Sequence, residues 1–189
     1  MLPEDWTRDQ ARRMLRERGP DEVLPHLQAW IARLDASDAN FEHHRLEGLW
    51  TYQGLRSVEP DLLRQTLASP DHRARAAAVR VLSDWSDQVP DSLNLLSRAA
   101  VDPHAQVRLE AVNALRELRS RESIEAALQV LEMPLDDPLD FALWLTCREL
   151  KRHWLPELRA RRSVFGGDDR KLAFAISAIE DPAAVEALV

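Results

Sequence analysis

The feature that most constrains this chain is that it repeats itself. The stretch SPDHRARAAAVRVLSDW, from Ser69, lies over DPHAQVRLEAVNALREL, from Asp102, at a separation of 33 residues. Pro70 falls on Pro103, Arg75 on Arg108, Ala78 on Ala111, Val79 on Val112 and Leu82 on Leu115. Looser copies flank these two. HHRLEGLWTYQGL places Arg45 and Leu49 in the pattern, LDFALWLTCREL puts Asp140 where the arginine stood, and DRKLAFAISAI puts Lys171 there. Upstream, TRDQARRML supplies Arg8 and Ala11. Six copies at spacings of 30 to 37 residues describe an array of helical repeats.

Each copy reads as helix, tight turn, helix. Leu62, Leu63 and Leu67 form an apolar stripe at helical spacing. Ser69-Pro70-Asp71 stops that helix, because proline lacks a donor and disfavours helix in the residue before it. Asp71 is placed to cap the next helix, whose buried face is Ala74, Ala78, Val81 and Leu82. The next copy repeats the plan with Leu93, Leu96 and Ala100, then Asp102-Pro103, then Val107, Ala111, Ala114 and Leu115. Only five glycines occur among 189 residues, and the apolar set is mostly Ala and Leu. The expectation is an all-α fold, an α-solenoid of five to six antiparallel helix pairs running through 1–189 as one repeat domain. The chain opens in what reads as a second helix, EDWTRDQARRMLRERG. It closes on EDPAAVEALV, a turn and the start of a first helix, so the array reads as a fragment of a longer protein.

A proline and an acid in the turn, followed by V-R-x-x-A-x-x-A-L, resemble the HEAT repeat. The resemblance implies that the helix arginine joins a ladder with turn acids between units, and Arg75 and Arg108 with Asp71 and Asp102 match those positions. Asp140 and Lys171 depart from it, so the ladder is expected to weaken toward the carboxyl end. Four stretches, EDWTRDQARRMLRERG, EHHRLEGLWTYQGL, LASPDHRARAAAVRVLSDW and PLDDPLDFALW, are similar to one helical segment of planctomycete-type membrane-bound dehydrogenase-like proteins. In that family a sorbosone-dehydrogenase-like propeller precedes HEAT repeats, and a haem-binding cytochrome c-like domain follows. The resemblance implies a connecting scaffold in an exported protein, with any redox chemistry lying outside this chain. C-x-x-C-H is absent, since Cys147 is followed by Arg148 and no second cysteine exists.

Chemistry-bearing motifs are scarce. One cysteine excludes an internal disulfide and a cysteine-based zinc cluster. His43-His44 is the one histidine cluster, with Glu47 as a conceivable co-ligand, but adjacent helical residues diverge by about 100°. His72 and His104 fall at helix starts, where they serve the turn. Neither a phosphate-cradling glycine loop nor a G-x-S-x-G nucleophile is present. No catalytic residue, metal ligand or cofactor is therefore assigned.

What remains is a surface. Alignment puts Trp50 in a column with Arg80 and Asn113. Flanking columns are His43, Arg73 and Gln106, then Glu47, Ala77 and Glu110. In HEAT-type stacks the second helices line the concave side, so these columns are the candidate contact with a protein partner or a neighbouring domain. Trp50 could equally cover the irregular first unit, whereas Trp30, Trp144 and Trp154 lie on apolar stripes and are expected in the core or in packing between repeats. The rival reading is a nucleic-acid-binding or DNA-glycosylase-like repeat protein, in which Arg12, Arg13, Arg16, Arg73, Arg80 and Trp50 converge. A formal net charge of -7 disfavours it, because phosphate binding needs a cationic footprint.

Overall fold

The computed structural model describes residues 5–179, so the terminal EDPAAVEALV motif lies outside the described residues from Glu180 onward. All regular structure among them is helical. In chain order it comprises α1 (Asp5–Arg18), α2 (Pro20–Ile31), α3 (Phe41–Gly54), α4 (Pro60–Leu67), α5 (His72–Asp84), α6 (Ser92–Ala99), α7 (Ala105–Leu118), α8 (Arg121–Ala127), α9 (Asp137–Glu149), α10 (Leu155–Arg159) and α11 (Asp169–Ile179). Short 3₁₀ segments cover Leu128–Glu132, Lys151–His153 and Phe165–Gly167. After α1 the helices follow in five successive pairs, as the repeat spacing predicts.

The chain divides after Val89 into two compact units, at a junction between repeats. In the first, α3 packs on α1 and α5 through second helices, and α4 packs on both α3 and α5. In the second, α7 packs on its own first helix α6 and on α8 and α9, while α9 goes on to α11. First helix on first helix (α6 on α8) and second on second (α7 on α9) is the stacking of an α-solenoid.

The turns form as the sequence dictates. Asp71 accepts from the Arg73 backbone N–H at 2.8 Å, and Ser69 Oγ accepts from the Asp71 N–H. In the next turn the roles shift by one residue: Asp102 accepts from the His104 N–H at 2.8 Å, and His104 Nδ1 caps Gln106 at 3.3 Å. Ser120 with Ser123 makes a capping box at α8, and Asp136 and Asp168 cap α9 and α11. The first three acids and the serine sit where the chain must reverse, because first-turn N–H groups otherwise lack partners.

Small residues set the helix spacing. On α5, Ala74, Ala76, Ala77, Ala78, Val79, Val81 and Leu82 are all buried, a far wider face than the one-sided stripe expected. A helix enclosed this broadly touches neighbours on most sides, and alanine lets them come close. Gly48 does the same for α3. A Cβ there would lie 2.9 Å from Ile31 Cδ1 of α2.

The tryptophans divide differently from expectation. Trp154 is fully buried, donates from Nε1 to the Cys147 carbonyl at 3.2 Å and packs on Phe165 with ring centroids 5.5 Å apart. Trp30 is 38% exposed and Trp144 half-buried, so neither belongs to the core. Trp30 lies against His44 and Gly48 of α3, and Trp144 against Phe141 and Arg148 of its own helix, so each ring is covered on one side only.

Burial pushes the Cys147 thiol up from 9.0 to about 12. The unfolded chain thus loses this proton more readily than the folded one, so stability is intact below pH 9.0 and falls as pH rises toward 12. Cys147 is expected to resist alkylation at pH 8 in the native state and to react at once in denaturant; labelling followed by mass spectrometry reads both. Trp154→Ala removes a filled site and should cost about 3–5 kcal/mol in urea unfolding.

Candidate partner-binding face

Arg75 and Arg108 occupy equivalent positions four residues into their second helices, so each guanidinium reaches back over its own turn. Arg75 Nη1 donates to the carbonyls of Ser69 at 2.9 Å and Pro70 at 3.2 Å. Arg108 is only 3% exposed, and its Nη1 donates to Asp102 O at 2.8 Å and Pro103 O at 3.1 Å. Its Nη2 goes further, to Pro134 O at 2.6 Å in the turn of the next pair. These links run through backbone carbonyls, while the Asp71 and Asp102 carboxylates hold N–H groups of their own turns.

The ladder position keeps a role where the arginine is lost. Lys171 Nζ lies 3.3 Å from Glu132 of the preceding pair and 3.7 Å from Asp168. In the first pair, Arg45 bonds Glu42, which also accepts from Ser69 Oγ of the following turn. Arg45 further stacks over Phe41 at 5.3 Å.

The predicted face is only partly open. His43, Glu47 and Trp50 share one side of α3, and α1 lays Arg12 across them. Arg12 donates to Glu47 from Nη2 at 2.7 and 2.8 Å and from Nε at 3.1 Å. Its guanidinium carbon sits 4.9 Å from the Trp50 ring centroid. His43 Nε2 approaches the same carboxylate at 3.6 Å. Glu47 and Trp50 therefore seat α1 through Arg12, with His43 beside Glu47. On α5, Arg73 and Arg80 are exposed, whereas Ala77 between them is buried. On α7, Gln106 is exposed, and Glu110 and Asn113 are half-buried.

Two members of the rival cationic cluster are held by carboxylates within this unit. Arg12 is held as above, and Arg13 pairs with Glu17 at 2.9 Å. His44 turns away from His43 toward Asp38 at 3.6 Å, so the two rings serve different carboxylates. Among the described residues no group of three or more His, Cys, Asp or Glu converges as a metal site.

One surface escaped the column argument. Phe141, 61% exposed, stacks on Trp144 at 5.9 Å and 18°, and Arg148 lies 5.0 Å from the Trp144 ring. The spacing of three and then four residues along α9 is its sequence signal. Alignment to Val79 and Val112 hid it, since both valines are fully buried.

If Arg12 and Glu47 act as a pair, Arg12→Ala and Glu47→Ala are non-additive. A double-mutant cycle in thermal unfolding should return a coupling of about 1 kcal/mol, and additive losses would remove α1's anchor from the account.

No curated protein matches the chain. No helix among the described residues is long and apolar enough to cross a membrane. Residues 60–144, from the start of α4 into α9, match the family model of HEAT repeats, and it is through these helix pairs that the chain is similar to that family.

Proposed function

We propose that this chain is a non-catalytic helical-repeat scaffold that docks a protein partner, or neighbouring domains of a longer protein, on the open faces of its second helices. The observation that carries this reading is the set of exposed, chemically varied side chains on the second helices of each unit: Arg73 and Arg80 on α5 in the first, and Gln106 on α7 in the second. HEAT repeats serve protein interaction in general, and residues 60–144 match them. A stack fixed by buried alanines and turn-clamping arginines binds with little ordering cost, which is what makes such a surface effective.

Glu47 and Trp50 enter the proposal in a changed role, as the seat of α1, with His43 beside them on α3. Glu110 and Asn113 remain at its half-buried margin. The likeness to the segment between propeller and cytochrome-like domains in dehydrogenase-like proteins makes such domains the first partners to test.

The chain, immobilised, is mixed with extract of its source and the retained proteins identified by mass spectrometry. Replacing Arg73 and Arg80 by Ala is expected to lower recovery of the true partner several-fold while leaving the thermal midpoint in place. Unchanged recovery would remove α5 from the interface. Retention on a phosphate resin to moderate salt would favour nucleic acid instead.

A further inference from the structure

Within the first unit, α1, α2 and α3 border an open hollow of about 460 Å³. That lies in the roughly 300–1,000 Å³ range of small-ligand sites. Its apolar wall is Leu15 from α1 and Val23, Leu27, Trp30 and Leu34 from α2 and the segment after it. Arg8, Arg12 and Arg18 of α1 border it, joined by His26 and His44. Only two carboxylates, Glu22 and Glu47, line it against them. Cationic side chains are thus in excess here, on a protein whose net charge is -7.

These cations differ in how firmly they are held. Arg12 is fixed bidentately on Glu47. Arg18 meets Glu22 at only 3.4 Å, with both side chains more than half exposed, a kind of pair that contributes little to stability. An incoming anion competes readily for Arg18, and His26 lines the same hollow. Trp30, edge-on to His44 at 6.3 Å, offers its exposed ring as an apolar lip.

We infer that this hollow binds a small anionic amphiphile, a carboxylate with an extended apolar body, whose tail lies along Leu15, Val23 and Leu27 and whose carboxylate meets Arg18 and His26. Charge disfavours a cationic amphiphile of the same length. A hollow of this volume, bordered by three helices of a single unit, suits a small ligand. The site is separate from the α5 and α7 faces, and neither depends on the other.

The test is isothermal titration of the full chain with dodecanoate, below its micelle concentration, against dodecyltrimethylammonium. The expected result is one saturable dodecanoate site per chain and binding of the cationic analogue roughly tenfold weaker or less. Ala11→Trp, which fills the hollow from α1, should abolish dodecanoate binding with helicity retained. Arg18→Gln, an exposed change that spares the fold, should weaken dodecanoate roughly tenfold without weakening the cationic analogue. If Ala11→Trp does not fold, the Arg18→Gln pair of titrations decides. Equal affinity for both amphiphiles, no saturable site, or an unchanged dodecanoate affinity in either folded variant would overturn the inference.

Discussion

The stack rests on the way its turns satisfy their carbonyl groups. A proline turn ends one helix and starts another, so carbonyls at the end of the first helix have no intrahelical partner and the proline itself brings no donor. Arg75 and Arg108 fill that gap from the following helix, each with one nitrogen on two successive carbonyls. Because Arg108 also reaches the Pro134 carbonyl, the group that closes one turn fixes the next pair beside it. The guanidinium suits this role because it stays charged and offers donors in a fixed fork. A lysine supplies a point charge, and Lys171 accordingly meets carboxylates in place of carbonyls.

Clamped turns let the helices be short and their contact residues small. α4, α6 and α8 have eight, eight and seven residues, lengths that are marginal for a free helix. They persist because each is laid on a second helix rich in buried alanine and valine. Toward the carboxyl end the first helices shrink further, to five residues in α10. There Trp154 and Phe165 take over the filling that a longer helix would provide.

The amino-terminal unit follows the same plan with weaker means. α1 is seated by one arginine shared between Glu47 and Trp50, and its inner side leaves a hollow. Two of the residues that look most like a binding site in sequence, the acid and the tryptophan beside the histidine pair, are thereby used in holding a helix. What stands open is the α5 face, the aromatic stack on α9 and the hollow itself. Function in such a protein follows from which side chains the packing leaves uncovered.

The sequence by itself determined the helical class, the repeat length, the turn positions and the core column of Ala78, Ala111, Leu82 and Leu115, because these depend on local propensity and a fixed period. It also placed Asp71 as a cap and His104 as a turn residue, since capping acts over two or three residues. Which carbonyls Arg108 holds, that Arg12 covers Trp50, that Trp30 and Trp144 reach solvent and that Ala77 does not were decided only by tertiary structure. Each depends on a neighbour distant in sequence, and periodicity reports which side of a helix a residue occupies without saying what stands opposite it. The hollow between α1, α2 and α3 belongs to the same class, as a space defined by three helices and written in none of them.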